Sequence, residues 1–252
     1  MKAYERFLEY VAVWTTSDEN SDTVPSAARE LDLAKKLVEE MKGLGIEDAR
    51  VDDKGYVYGS VPATLGCEDK AALGLIAHMD TAMDASGKDI KPQLIKNYDG
   101  GDVVLGTSGN VLSAAEFPDL AGLKGRTLIT TDGTTLLGAD DKAGIAEILT
   151  AVDEIIKEGL PHGKICIGFT PDEEIGRGSD HFDVEGFGAD YAYTLDGDAE
   201  GEIQYENFNA STGFVTCHGV SVHTGSAKDI MVNSQTIATE FHQMLPADER
   251  PE

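Results

Sequence analysis

The sequence is poor in basic residues. It holds 20 lysines and arginines against 46 aspartates and glutamates, which gives a formal net charge of −26 at pH 7. Nucleic acids and anionic membrane surfaces are bound through basic patches, so the composition argues against both as partners. Most of these carboxylates must form a solvated surface, and only their position in the sequence can single out those that act chemically.

Cysteine is scarce as well, and no long apolar run is present. Cys67, Cys166 and Cys217 are odd in number, are far apart and form no Cys-x-x-Cys pair. This disfavours both a disulfide framework and a thiolate zinc site. No apolar stretch approaches the roughly 20 residues that span a bilayer. The first residues mix charges with apolar positions, unlike a signal peptide. We therefore expect a cytoplasmic protein.

The sequence does contain alternating strand-like and helix-like segments. Three apolar runs that end in polar residues are typical of strands buried on both faces of a sheet: Ala71–Ala77, Lys164–Thr170 and Asp190–Leu195. Apolar residues at helical spacing predict helices over Ser26–Met41 and Lys142–Glu158. The alternation predicts an α/β fold with a mixed, largely parallel sheet sandwiched by helices.

The pattern changes near Tyr205. Residues 210–222 alternate like short strands, and Asp229–Met244 has the spacing of an amphipathic helix. We assign residues 1–205 to the first domain and residues 206–252 to the beginning of a smaller α+β domain. The second stretch is too short to hold a complete core of its own.

Four short polar clusters lie next to these predicted strands and helices. In open α/β sheets, function gathers beyond the carboxyl ends of the strands. Taken singly, each cluster has an ordinary explanation as a helix cap, a solvated loop or a turn. Taken together, four such clusters in one fold support a metal site as well as they support these separate local roles. The clusters are His78–Asp80, Asp140–Asp141, Glu173–Glu174 and Asp196–Asp198.

The residue types in these clusters suit particular metals. Imidazole and carboxylate ligands suit zinc and related divalent metals, whereas oxygen ligands alone would suit magnesium or calcium. His78 and Asp80 form a pair in which the carboxylate can hold the second ring nitrogen of a ligating imidazole. The adjacent Glu173 and Glu174 suggest one carboxylate that binds metal and one that acts as a general base.

The combined motif resembles a known family. The segments HMDTA, GADDKAG, PDEEIG and YTLDGD occur in this order and are similar to the signature of the two-zinc exopeptidases. The wider segments GRGSDHFDVEGFGADYAYTLDGD and YENFNASTG resemble the tripeptide-cleaving aminopeptidases of that family more than its carboxypeptidase or desuccinylase members. The likeness extends over essentially the whole chain and implies a zinc exopeptidase fold followed by a lid or dimerisation domain.

The resemblance also assigns the metal ligands. Two zinc ions per subunit are implied, one held by His78 and Asp196, the other by Glu174, with Asp140 bridging both. Two such metals would polarise the scissile carbonyl and activate a water between them. The implied activity is hydrolysis of the N-terminal peptide bond of tripeptides, and the implied partner is a small peptide substrate.

The remaining roles are carried over in the same way. The resemblance implies that Asp80 orients His78 and that Glu173 takes a proton from the bridging water and passes it to the leaving amine. It implies a cis peptide bond between Asp140 and Asp141. His223 matches a histidine that stabilises the tetrahedral intermediate and reaches the partner subunit's site in dimeric relatives, so a homodimer is implied.

The chain differs from the family at its C-terminal end. Family members return from the second domain to the catalytic domain, and the returning segment supplies a final histidine ligand to the second zinc. This sequence stops at Glu252 before such a segment. We therefore expect an N-terminal fragment that binds the second metal weakly and has little activity of its own. Two alternatives stay open: another two-zinc amidohydrolase, such as a dipeptidase, carboxypeptidase or deacylase, and an inactive fragment that serves as a binding module.

Overall fold

The computed structural model describes residues 1–197, 199–207, 209 and 211–250. It divides into two compact units, Met1–Ile203 and Gln204–Glu252. Asp198 of the YTLDGD segment and two residues of YENFNASTG, Phe208 and Ala210, lie outside the described residues. Among the described residues, no helix is both long enough and apolar enough to cross a bilayer.

The first unit contains five helices and nine strands within its described residues. In chain order these are α1 Ala3–Val11, α2 Glu30–Gly43, β1 Arg50–Val51, β2 Val57–Val61, β3 Leu73–His78, β4 Gln93–Ile95, β5 Val103–Val104, β6 Val111–Leu112, α3 Asp119–Gly122, β7 Leu128–Thr130, α4 Ala139–Glu158, β8 Ile165–Thr170, α5 Val184–Phe187 and β9 Tyr191–Thr194. A 3-10 turn, Glu173–Ile175, follows β8.

The main sheet of the first unit has five strands in the order β1-β2-β8-β3-β9. Strand β3 is parallel to both of its neighbours, β8 and β9. Strands β1 and β2 extend the sheet in antiparallel fashion on the far side of β8. The mixed α/β sheet that the sequence predicts is confirmed. Two smaller antiparallel pairs, β4 with β7 and β5 with β6, lie outside this sheet.

Both faces of the main sheet are covered by apolar packing. On one face, α1, α2 and α4 bury side chains such as Phe7, Leu37 and Ile148 against Ile167 of β8. On the other face, Phe187 of α5 packs with Tyr58 and Cys166, and Phe182 joins them at ring-centroid distances of 5.0 to 6.1 Å from its aromatic neighbours. Burial of these two clusters provides the main stabilisation of the sheet.

The register of the parallel strands determines which loops meet. His78, the last residue of β3, is paired with Thr170, the last residue of β8. On the other side of β3, Ile76 is paired with Thr194, the last residue of β9. The three strands therefore end at one edge of the sheet, and the polar segments that follow them are neighbours.

Two predicted helices begin later than the sequence suggests. Helix α2 begins at Glu30 rather than Ser26. The backbone N–H of Ser26 donates to the Asp172 carboxylate, at 3.0 Å from Oδ1 and 2.8 Å from Oδ2. In the second unit, helix α6 spans Ser234–Met244 and does not begin at Asp229. Asp229 has φ of 62°, outside the helical region, and the Asn233 side chain caps α6 by accepting the Gln235 N–H at 3.0 Å.

The alternating pattern over residues 210–222 does not form the predicted strands. Within the described part of that stretch, Val220 makes an isolated bridge with Val232, and residues 211–219 are irregular. Phe214 is 93% exposed, so the apolar positions of the pattern have no packed face to join. A strand needs a neighbour for its backbone hydrogen bonds, and alternation alone does not supply one.

Candidate metal centre

The sequence-predicted site residues come from four separate loops of the first unit. His78 ends β3, and Asp140 lies in the first turn of α4. Glu173 and Glu174 form the 3-10 turn after β8, and Asp196 comes two residues after the end of β9. Each loop leaves the sheet or enters a helix at the same edge, which is why residues so far apart in sequence can meet.

The side chains converge on the His78 imidazole. Its Nε2 lies 2.7 Å from Asp140 Oδ1, 3.8 Å from Asp196 Oδ2 and 3.9 Å from Glu173 Oε2. Potential ligand atoms lie within 4.8 Å of one another in two overlapping groups, one of which adds Glu174. The groups are His78–Glu173–Asp196 and His78–Asp140–Glu174. All five predicted residues are therefore brought together.

Asp80 contacts both the His78 imidazole and the Glu173–Glu174 turn. Its side chain is fully buried, and its carboxylate accepts the backbone N–H of Glu173 at 2.9 Å and that of Glu174 at 3.1 Å. The same carboxylate lies 3.4 Å from His78 Nδ1, and the Asp80 carbonyl oxygen lies 3.1 Å from that nitrogen. Asp80 thus fixes the imidazole on one side and the Glu173–Glu174 turn on the other.

Asp141 is a site residue to which the sequence reasoning gave no role. Its carboxylate points back into the protein, where Oδ2 accepts the His78 N–H at 3.1 Å and Oδ1 accepts the Gly144 N–H at 3.2 Å. The bond between Asp140 and Asp141 is cis, as the family resemblance implies. The Asp140 carboxylate faces the candidate metal centre, whereas the Asp141 carboxylate faces the core. In the sequence, the only signal for a role of Asp141 is that it stands next to Asp140.

The acidic surroundings change the proton affinity of the site. Burial disfavours the charged form of His78, but the hydrogen bond with Asp80 and the charges of Asp80, Asp141 and Asp196 outweigh it and raise the pKa of His78 to about 10. Burial raises the pKa of Asp141 to about 8, although the positive charge of His78 acts in the opposite direction. Burial also raises the pKa of Glu173 and of Glu174. The site therefore attracts positive charge.

These residues fit a divalent metal of the zinc type. Imidazole nitrogen and carboxylate oxygens are the ligands zinc takes in proteins, and an uncompensated cluster of carboxylates favours a cation. Because Nδ1 of His78 faces Asp80, Nε2 is the nitrogen free to bind one metal. Among the described residues, Asp140 and Glu174 would then remain to bind a second metal.

A cavity of about 380 Å³ opens beside the convergent residues. Its walls combine the apolar side chains of Ile76, Phe182 and Val184 with Ser179 and the backbone of Gly178, and His78, Glu173 and Asp196 line it as well. An apolar pocket with a few convergent polar groups is the usual form of a small-molecule site. Here the polar groups are those that could hold a metal.

His223 belongs to the second unit. It precedes the 3-10 turn Thr224–Ser226, and its Nδ1 accepts the backbone N–H of Gly225 at 3.1 Å. This contact describes a local cap. The role that the family resemblance gives to His223 remains a prediction.

Comparison with known proteins identifies relatives along the whole chain. Residues 131–244 match Peptidase family M20/M25/M40. Peptidase T of Clostridium acetobutylicum is 57% identical over 250 residues, which cover 98% of this chain and 61% of that protein. Peptidase T of Clostridium perfringens is 56% identical over 252 residues, covering 100% of this chain and 62% of that protein. The chain thus spans about three fifths of the length of these relatives.

Two solved structures of peptidases are also similar to this chain. The crystal structure of aminopeptidase PepT from Bacillus cereus superposes with a TM-score of 0.58 at 26% identity, covering 97% of this chain and 56% of that chain. A tripeptidase from Staphylococcus aureus superposes with a TM-score of 0.54 at 26% identity, covering 79% of this chain and 43% of that chain.

Proposed function

The chain is a homologue of peptidase T, and from this relationship we propose that it is the metal-binding part of a zinc-dependent aminopeptidase that removes the N-terminal residue of tripeptides. The tripeptide substrate is supported by the names of the relatives, peptidase T and a tripeptidase. The three free cysteines support action in the reducing cytoplasm.

One observation carries the proposal. Four loops bring one imidazole and four carboxylates to a common point, with the potential ligand atoms of each group within 4.8 Å of one another. Loops at a protein surface need no such convergence. Because His78 and Asp80 are buried, holding the acidic side chains together costs free energy unless a cation compensates their charge.

We propose two zinc ions, held as the family resemblance suggests. His78 and Asp196 would bind one ion, Glu174 the other, and Asp140 both. When bound, such ions polarise the scissile carbonyl and lower the pKa of the attacking water. Asp80 would keep His78 in the orientation that presents Nε2 to the metal, since it faces Nδ1.

Glu173 is the proposed general base. Its carboxylate lies beside His78 and lines the cavity, so it is within reach of a substrate held there. Burial raises the pKa of Glu173, which brings the carboxyl nearer to the range in which it can both accept and return a proton. In this role Glu173 takes a proton from water and gives it to the amine of the departing dipeptide.

His223 is the proposed stabiliser of the tetrahedral intermediate, acting across a homodimer. The support for this role is the match of GVSVHTGSAKDIMVN to the corresponding segment of the family. Alternative activities at the same metal site are those of a dipeptidase, a carboxypeptidase or a deacylase.

The proposal is tested by metal content and substrate choice. The purified chain should contain zinc by elemental analysis, and the full-length protein should remove the N-terminal residue of tripeptides while leaving N-acyl amino acids intact. Zinc near zero would support a binding module instead. Release of the carboxy-terminal residue would overturn the aminopeptidase assignment.

A further inference from the structure

Glu30 is a fully buried acid at the start of α2, and it forms a hydrogen bond with the loop that follows β8. Its Oε2 accepts the backbone N–H of Asp172 at 3.1 Å. Its Oε1 accepts the backbone N–H of Ala27 at 3.1 Å and the hydroxyl of Ser26 at 3.3 Å. Glu30 therefore joins the entry of α2 to the loop that follows β8.

The residue that Glu30 holds has an unusual backbone. Asp172 has φ of 58°, in the left-handed region that residues with a side chain rarely adopt. Such a conformation persists where the surroundings determine it from several sides. The N–H of Asp172 donates to Glu30, its carbonyl accepts the Arg177 N–H at 2.9 Å, and its carboxylate accepts the Ser26 N–H.

The next two residues of the chain enter the metal centre. Immediately after Asp172, the N–H groups of Glu173 and Glu174 donate to the carboxylate of Asp80. Asp80 in turn lies 3.4 Å from the His78 imidazole. The direction in which the chain leaves Asp172 thus decides where both glutamate side chains lie relative to His78.

We infer that Glu30 is a positioning residue of the metal centre, which holds Asp172 so that the Glu173–Glu174 turn closes on Asp80. The inference rests on the proposed function, because positioning has a purpose only if the turn carries a ligand and a base. Glu30 does not touch the converging side chains; it acts through Asp172.

The geometry assigns this role to a side chain of this length that accepts hydrogen bonds at both of its oxygens. Oε2 of Glu30 accepts from Asp172, and Oε1 accepts from Ala27 and Ser26. Glutamine has the same length but turns an amide NH2 toward one of these backbone N–H donors. Aspartate keeps both oxygens but is one methylene shorter and cannot reach Asp172 and Ala27 together.

Three variants test the inference through zinc affinity, measured by competition with a chromophoric chelator. Glu30→Asp and Glu30→Ala should each weaken zinc binding by about 10- to 100-fold, the usual effect of losing a residue that supports a ligand. Glu30→Gln should weaken zinc binding less than Glu30→Ala, because its oxygen keeps the contacts of one of the two Glu30 oxygens. Should Glu30→Ala fail to fold, as judged by circular dichroism, the milder Glu30→Asp still decides the question.

Asp153→Asn provides a matched control. Asp153 is also a buried acid, only 4% exposed, but its partners are Arg6 and Lys157, away from the metal centre. This variant should lower the melting temperature without changing zinc affinity. Wild-type zinc affinity in folded Glu30→Asp or in folded Glu30→Ala would overturn the inference alone. A wild-type chain without zinc affinity would overturn the proposed function as well.

Discussion

His78 and Asp140 lie 62 positions apart in the sequence, yet Nε2 of the imidazole is 2.7 Å from Oδ1 of the carboxylate. The distance is that of a charge-assisted hydrogen bond. With the pKa of His78 raised to about 10, the imidazole is protonated at neutral pH and supplies the positive charge that the carboxylates attract. A zinc ion would replace that proton.

This relationship predicts that zinc binding releases protons. The folded site holds a proton on His78 up to about pH 10, and zinc needs the neutral imidazole, so zinc affinity should rise with pH between 6 and 9. The expected slope is about tenfold per pH unit for each displaced proton. Titration calorimetry in buffers of different ionisation enthalpy measures the release directly. A binding heat independent of the buffer would contradict the prediction.

The second prediction separates metal binding from proton transfer. Glu173→Gln keeps the size of the side chain and removes the base, so tripeptide hydrolysis by the full-length protein should fall by about 100- to 10,000-fold while zinc content is unchanged. Glu174→Gln serves as the comparison, because Glu174 is a proposed ligand and its variant should lose zinc as well. If both variants kept zinc and activity, neither role would hold.

Much of this site was predictable from local sequence signals. His78 follows one buried apolar run, Glu173 and Glu174 follow another, and Asp196 follows a third. Parallel strands place such ends at one edge, so convergence could be expected from pattern alone. Asp140 belongs to the fourth cluster, where a carboxylate before a helix also has an ordinary explanation as a cap, and its role as a ligand comes from the family resemblance.

The parts that were not predicted depend on contacts between distant segments. Glu30 is 142 positions from Asp172, and nothing in the spacing around either residue signals the hydrogen bond. The predicted helix likewise begins four residues before α2, at Ser26 instead of Glu30, and the N–H of Ser26 bonds to Asp172, 146 positions away. Long-range contacts of this kind override local propensity.

The third prediction concerns the backbone next to the proposed base. A Cβ atom at Gly178 would lie 3.2 Å from both Cα and Cβ of Glu173, which is closer than ordinary van der Waals contact. Gly178→Ala should push Glu173 from its place and lower the turnover number, and small displacements of catalytic groups are known to be costly. Gly122→Ala is the control, because nothing lies within 4 Å of a Cβ there. If Gly178→Ala and Gly122→Ala had equal turnover numbers, the methyl group at residue 178 would not displace Glu173 from its working position.

The fourth prediction concerns stability at a distance from the metal centre. Arg6 is 2% exposed, and its guanidinium pairs with Glu40 at 2.7 Å and with Asp153 at 2.9 Å, while donating to Thr150. Arg6→Met would leave both carboxylates without this cation inside the protein. Breaking a buried pair in this way costs about 3–5 kcal/mol of unfolding free energy. Urea unfolding followed by circular dichroism measures the loss.

Lys36→Met is the matched control for Arg6→Met, since it removes the cation of another ion pair. Lys36 Nζ lies 3.1 Å from Glu9 Oε2, but the side chains are 34% and 51% exposed. Solvent screens such a pair, so the change in unfolding free energy should stay below about 1 kcal/mol. Because Arg6 touches none of the converging residues, zinc affinity should be the same in both variants. A comparable loss of stability in both would mean that burial of Arg6 adds nothing, and a loss of zinc affinity in Arg6→Met would mean that the α1–α4 packing transmits to the metal centre.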